Sequence, residues 1–496
     1  MNDKEETGSP DGKVALKFQY DPRYHERLRK APWLKALESG RPYARALDTV
    51  YFDTPDNALH REGVALHVDR NSKRSPKPPP LSALQSDPKL RKVISKRVFD
   101  SLQPVFATHI RRVTRRLKPS EGTEVALDFD DISVSSNGTK TAGMRELVLR
   151  SNDAHALYRM GRLIAATLPV RLISGSLSER ALDLLEGRQP TFAKAIPAKL
   201  PKDCSAEEAL VATVANCLAH LTANEACAVA MADPEGVHQM RVALRRLDAS
   251  LKVFRRLIPD GQRRRLKRRI KNVAEALGPA RDWDVFIEDL VRPVAADLPS
   301  DDDLLLLRGA AAQQRAVEYR KVRRVLGPQP YTEMRLDLAA WLNEREWRQQ
   351  PVTESSARLM ASARTFAKAI LDKGHRKLKK LGQSHAMMNA EERHKLRIQV
   401  KKVRYAGEFL ASLFPRRKSE RYLHALRVLQ DDLGRLNDIE VARKLIASLA
   451  THDHARDLKF ARAGGLVLGW HASAGTREKQ LAEHWAAFED AKPFWR

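Results

Sequence analysis

His238-Gln-Met-Arg241-Val-Ala-Leu-Arg245-Arg246 and, 156 residues further on, His394-Lys-Leu-Arg397-Ile-Gln-Val-Lys401-Lys402 are two copies of one pattern, H-x-x-R-x-x-x-[KR]-[KR]. The offset holds outward from the motif. Asp233 and Asn389, Pro259 and Pro415, Leu277-Gly278 and Leu433-Gly434, and Asp282 and Asp438 all obey it, which marks an internal duplication rather than one chance motif. On a helix running from Val237 to Leu257, spacings of three, four and seven gather His238, Arg241, Arg245, Lys252 and Arg256 into one sector. Met240, Leu244, Leu247, Leu251 and Phe254 fall opposite. The second copy sets His394, Arg397, Lys401 and Arg404 against Val400, Val403, Leu410 and Phe414, with Arg246 and Lys402 completing the doubled basic positions.

Like charges one helical turn apart repel, so a stripe carrying only positive charge implies an anion among its members. Arginine forks match phosphate oxygens in pairs, and lysine adds a mobile point charge. Histidine can donate in either protonation state and gains affinity when protonated. Two such stripes predict one large anion-binding surface.

From Ser205 onward the sequence is rich in Ala, Leu, Arg and Lys with a period near 3.6, which predicts helix throughout. Asp233 followed by Pro234, and Asn389 with Glu392 three residues on, read as helix starts; Pro259 and Pro415 read as their ends. The duplicated region is 204–489, with repeats at 204–326 and 355–489 and less regular sequence, including Gly327 to Pro330, joining them. The run Arg263 to Lys271 encircles its helix, so only Lys267, Arg268 and Lys271 are expected to reach a ligand. Asp282, Asp284, Asp431 and Asp438 are expected to hold arginines or cap helices rather than to bind metal.

Residues 13–188 read differently. Short alternating runs at Val14–Tyr20, Ala46–Phe52, Val64–Val68, Val125–Phe129 and Glu146–Leu149 predict an antiparallel sheet or barrel, and a helix from about Asp153 to Leu168 packs on it. Asn71–Pro88, rich in Lys, Arg, Ser and Pro, predicts a mobile loop; residues 1–12 predict a disordered N-terminus; 189–203, with three prolines, predicts an interdomain linker. The fold class is therefore α+β in two domains, sheet first and helical bundles second.

Composition narrows the partner. At 496 residues with a net charge of +27, the chain calls for a polyanion: nucleic acid, an anionic surface or a phosphate polymer. Aromatic residues make up only 6% and are sparse among the basic clusters, which argues against base-stacking recognition. Cys204, Cys217 and Cys227 lack metal spacing and read as buried apolar residues in a reducing compartment. With no secretory apolar core near the N-terminus and no apolar run of membrane-spanning length, a soluble cytoplasmic protein is expected.

Together, the two His-Arg-basic motifs, Leu277-Gly-Pro-Ala-Arg-Asp-Trp-Asp284 and Gln430-Asp-Asp-Leu-Gly-Arg-Leu-Asn-Asp438 resemble the CHAD domain, the conserved-histidine α-helical family. The resemblance covers residue 204 onward and implies pseudo-twofold helical bundles around a basic channel that binds inorganic polyphosphate, with possible granule proteins as further partners and location on polyphosphate granules. The implied contacts are His238, Arg241, Arg245, Arg246, Lys252, Arg256, Lys267, Arg268, Lys271, His394, Arg397, Lys401, Lys402 and Arg404.

Tyr51-Phe-Asp-Thr-Pro-Asp56, Gly63-Val-Ala-Leu66, Gln103-Pro-Val-Phe106 and Glu124-Val-Ala-Leu-Asp128 resemble the CYTH family over residues 13 to 186. That family implies a β-barrel tunnel in which basic residues grip triphosphate and glutamates hold a metal. Here the opening E-x-E-x-K signature reads Lys13-Val-Ala-Leu-Lys17, two expected arginines are His67 and Asp69, and a paired-glutamate motif keeps Glu146 but has Val148. What survives is Lys17, Arg70, Arg111, Arg112, Glu124 and Glu146. Loss of carboxylate ligands removes the metal that neutralises triphosphate, so no catalytic residue, resident metal or cofactor is expected. Two alternatives remain open: a triphosphatase or polyphosphate hydrolase using Mg²⁺ or Mn²⁺ in the tunnel, and a nucleoid or RNA-binding protein attracted by charge alone with nonspecific nucleic acid binding.

Overall fold

The computed structural model describes residues 14–70, 77–136, 139–349, 354–383, 388–450, 453–473 and 477–496. The expected disordered segment 1–12 and positions 71–76 of the expected loop lie outside them. The chain divides into two compact units, Met1–Gln189 with Gly327–Glu344, and Pro190–Leu326 with Arg345–Arg496.

In the first unit the strands β1 (Val14–Tyr20), β2 (Tyr43–Asp53), β3 (Leu66–Asp69), β4 (Gln103–Ser120), β5 (Thr123–Ser136), β6 (Thr139–Ser151) and β7 (Val170–Leu172) form one sheet. Its order is β3-β2-β4-β5-β6-β1-β7, and every pairing is antiparallel. β3 and β7 stand at opposite edges and do not pair among the described residues, so the expected barrel is not closed. Strand alternation gives the sheet two faces. One buries Leu16, Phe18, Leu127, Phe129, Leu147 and Leu149 against α1 (Ala154–Thr167), numbering helices of ten residues or more. Asp153 caps α1 by accepting from Ala156 N at 3.1 Å. The other face carries α2 (Leu177–Glu186), opened by a Ser176–Glu179 capping box.

The loop expected at Asn71–Pro88 is largely ordered where it is described. Leu81–Gln85 and Pro88–Val93 are helical and bury Leu84 and Leu90 beside Val50, Phe52 and Leu66, because apolar residues among the prolines and lysines have a core to enter.

The second unit contains α3 (Ala206–Ala223), α4 (Pro234–Val253), α5 (Asp260–Val285) and α6 (Asp302–Val325). The helix α7 (Pro328–Asn343) lies between the repeats in sequence but belongs to the first unit. Thr332 Oγ1 donates to Val170 O at 2.7 Å, an Arg335 guanidinium nitrogen donates to Leu172 O at 2.6 Å, and Leu336 and Ala340 join the sheet's apolar core. A Cβ on Gly161 of α1 would lie 3.1 Å from Leu16 Cδ1 and 3.4 Å from Leu336 Cδ2, so glycine permits this close approach. The segment expected to be irregular is thus a helix started by Pro328, whose fixed φ suits a first turn.

The second repeat supplies α8 (Ala363–Gly382), α9 (Ala390–Leu410), α10 (Arg416–Ala447), α11 (His454–Ser473) and α12 (Arg477–Asp490). The starts of α4 and α9, and of α5 and α10, keep the 156-residue offset. Asp233 accepts from Glu235 N at 2.7 Å, and Asn389 forms a capping box with Glu392. Pro259 and Pro415 stand at the N-caps of α5 and α10, a few residues after the preceding helices end. Ala206 N donates to Ala361 O at 2.8 Å and Ala363 N to Cys204 O at 2.9 Å, so the equivalent helices α3 and α8 begin by exchanging backbone bonds. That exchange has the form of a local twofold axis. The three cysteines are free and buried. Among the described residues no helix is long and apolar enough to cross a membrane.

Candidate anion-binding groove

The motif helices α4 and α9 pack against each other, so the two stripes meet instead of facing away. Between α4 and α5 of the first repeat and α8 and α9 of the second opens a cavity of about 1270 Å³. Fourteen lysine and arginine side chains line it, against a single carboxylate, Asp248, among the described residues. That excess is the electrostatic content of the site: without an anion the walls repel one another.

Eight of the fourteen residues expected at the site line this groove: Arg245, Lys252, Arg256, Lys267, Arg268 and Lys271 from the first repeat, Lys401 and Lys402 from the second. Asp248 is shared, paired with Lys252 and 3.9 Å from Lys267. Burial, helped by Arg397, Arg245 and Arg404 and opposed by Asp438, pushes the Lys401 ammonium down to about 7. Lys402 is lowered by burial, then by Lys377 and Lys252, so charges from both repeats act on it. The groove also uses Arg255, Arg263, Arg264, Lys373, Arg376 and Lys377, which the motif did not single out. A signal existed: Lys373, Arg376, Lys377 and Lys380 recur at three, four and seven, the same basic stripe one helix upstream.

The remaining expected residues lie elsewhere. Arg241 is half-buried and bound to the helix α5 it faces, donating to Leu277 O at 3.4 Å, to Gly278 O and to Asp282 at 3.2 Å. Asp438 acts in the same sense on Arg397, whose charge burial disfavours. Both pairs keep the 156-residue offset, so in each copy an aspartate on the second helix favours the charge of an arginine on the first. His238 is pushed down to about 4 by burial, then by Arg281, Arg245 and Arg241, and is neutral near pH 7. His394 is exposed. Arg404 is engaged by Gln430 at 2.8 Å and Glu408 at 2.5 Å.

Arg246 requires a correction. It is 6% exposed, donates to Asn216 Oδ1 at 2.7 Å, contacts His220 Nδ1 at 3.4 Å and lies over the Phe409 ring. One step along a helix turns a side chain by about 100°. Arg245 therefore faces the groove and Arg246 the interior.

Asp282 accepts from Arg241, and Asp284, fully buried, accepts from Arg315 at 2.6 Å and Tyr319 at 2.9 Å. Among the described residues no group of three or more His, Cys, Asp or Glu is placed to hold a metal. In the first unit two of the expected tunnel residues, Arg112 and Glu146, stand in one cross-strand row on either side of Asp130 and are neutralised there. Arg112 makes two bonds to Asp130, 2.7 and 2.6 Å, and lies 3.5 Å from Asp128; Arg150 reaches Asp128 at 2.6 Å; Arg180 donates to Glu146 at 2.8 Å. Three arginines neutralise three carboxylates. Glu124 is exposed and 3.8 Å from Arg116, Arg111 and Arg70 are exposed, and Lys17 is half-buried on β1 opposite Val148.

The second unit is thus an internally duplicated helical domain with a cationic groove between its repeats. The CHAD domain model matches residues 212–447. The crystal structure of the CHAD domain from the plant Ricinus communis is similar at 30% identity and a TM-score of 0.51, over 61% of this chain and 98% of that one. PptA from Streptomyces chartreusis is similar at 13% identity and a TM-score of 0.39, over 60% and 99%. No match was found among curated proteins. The chain belongs to the CHAD domain family.

Proposed function

We propose that this protein binds inorganic polyphosphate, without hydrolysing it, in the groove between its two helical repeats. The observation that carries the proposal is a cavity of about 1270 Å³ whose walls hold fourteen cationic side chains, supplied by both repeats, and one carboxylate. A linear, base-free phosphate chain offers one negative charge after another to such walls, and the sparse aromatics do not favour a ligand that must stack. Arginine supplies paired bonds to nonbridging oxygens and lysine follows the chain as a point charge. Family membership and the duplicated His-Arg-basic motif support the same ligand. The sheet unit is proposed to be a degenerate CYTH domain with a structural or docking role, since its inner arginines and carboxylates neutralise one another. A cytoplasmic location on polyphosphate granules follows from the ligand.

The test is binding of long-chain polyphosphate to the full chain at physiological ionic strength. Arg245→Ala combined with Lys267→Ala should weaken binding by about tenfold or more, whereas Arg443→Ala with Lys444→Ala, on the exposed face of α10, should change it little. Equal effects of the two pairs would defeat the proposal.

A further inference from the structure

We infer that the duplicated domain carries one phosphate groove and not two, because the chain's own segment Pro190–Asp203 is bonded across the place symmetric to it; this rests on the function proposed above. A duplication with a local twofold axis generates two equivalent clefts: one between α4–α5 and α8–α9, the other between α9–α10 and α3–α4. The first opens as the cationic groove, whereas the described residues of the second are bonded to the chain's own segment.

The positions of the second cleft follow from the 156-residue offset. Lys252, Arg256, Arg264 and Lys267 become Glu408, Ser412, Glu420 and Leu423. Across the cleft, aligning α8 with α3 on their N-caps Ser362 and Ser205, Lys373 and Lys377 become Asn216 and His220. Lysines and arginines are thus replaced by two carboxylates, a hydroxyl, an amide, an imidazole and an apolar side chain. Lys402, a groove wall, becomes Arg246, which is withdrawn onto Asn216 and His220.

The segment between the units lies on these positions. Leu200 N donates to Ser412 Oγ at 3.0 Å, and Asn216 Nδ2 donates to Ile196 O at 2.9 Å. Asn224, at 0% exposure, accepts from Ala193 N at 2.9 Å and donates to Ala193 O at 2.8 Å. Leu200 is buried at 6%. A segment without helix or strand has free backbone groups, and here amide and hydroxyl side chains of the second cleft satisfy them. Pro190, Pro197 and Pro201 restrict its unfolded conformations, which lowers the entropy lost on docking. Two of the differing positions, Ser412 and Asn216, bond the segment directly, while Glu408 and Glu420 pair with Arg404 and Arg416.

Calorimetric titration of the full chain with size-fractionated inorganic polyphosphate, too short to bridge two proteins, should give one polymer per chain. Lys377→Glu with Lys402→Glu should weaken binding about tenfold or more. His424→Glu with Arg427→Glu, the counterparts of Arg268 and Lys271, should leave affinity within about twofold. Two polymers per chain, or equal losses from both pairs, overturn the inference. Hydrogen exchange supplies a readout that needs no ligand: the amides of Ala193 and Leu200 should be protected like those of α3 in the free chain, and exchange at the rate of an open loop overturns it. A wild-type chain that binds no polyphosphate refutes the proposed function instead, and amide protection then decides the seal alone.

Discussion

Lys401 concentrates the cost of the groove in one side chain. Arg397 lies one turn before it, Arg404 follows on the same helix, Arg245 comes from the other repeat, and only Asp438 opposes them. With burial, these bring its pKa from an ordinary 10.5 to about 7. The folded chain therefore binds fewer protons than the unfolded chain between those values, so stability rises with pH through that window, and below about 7 the penalty of burying the charge is fully in force. His238, pushed to about 4, acts in the acid range: the unfolded chain takes up its proton first, and stability falls as pH drops from 6.5 towards 4. On the proposed function, a bound phosphate chain would reverse the electrostatics and restore the Lys401 proton. Lys401→Met should therefore raise the Tm of the free protein near neutral pH while weakening polyphosphate binding, and wild-type affinity should fall as pH rises above about 7. A lower Tm with unchanged affinity would reject this. The sequence revealed Lys401 through its spacing, but not the inward turn of Arg246. That turn was implicit in a second periodicity, since Gln239, Ala243, Arg246 and Ser250 form a stripe, all buried. The motif's doubled basic pair drew attention from it, because a charged residue in a buried stripe reads as exposed until its partners, Asn216 and His220, are known.

Among the elements, those with local signals were legible. Asp233 and Asn389 cap α4 and α9 because side-chain oxygens beside orphan N–H groups act within one turn. α7 was not, since Gly327, Pro328 and Pro330 look like a break, and nothing local says which core a helix will join. Its contacts have a consequence for folding. Residues 1–189 without 327–344 lose the partners of Val170 O and Leu172 O and expose the core that Leu336 and Ala340 cover. Apolar surface opened to water costs about 25 cal/mol for each Å², and the margin by which a domain is stable at all is small. The fragment 1–189 should be aggregated or partly unfolded, and a synthetic peptide of residues 327–344 should restore cooperative unfolding followed by circular dichroism. A fragment that melts cooperatively at the full-length temperature without the peptide would show that α7 is dispensable. Barrel closure was misjudged for a similar reason: alternation predicts strands, but whether β3 meets β7 is fixed by long-range geometry that no short run encodes.

For the whole molecule, a net charge of +27 and a groove are different instruments, and they predict different ligands. Charge spread over the surface attracts any polyanion, with affinity falling steeply as salt displaces the gain from released counterions. A duplex, stiff over ~50 nm, can use that field only by lying across surface cations. A single phosphate chain can enter between four helices and place its oxygens among walls already crowded with charge, where exclusion of water strengthens each contact. Polyphosphate should consequently displace bound duplex DNA at fixed ionic strength, at equal concentrations of phosphate. Raising the salt should weaken DNA binding more steeply than polyphosphate binding. Lys377→Glu with Lys402→Glu should abolish that preference, leaving both polymers bound weakly and with similar salt slopes. Measured by fluorescence anisotropy of labelled DNA, failure of polyphosphate to compete better than an equal charge of unlabelled DNA would mean that surface charge alone governs binding and that the groove confers no selectivity.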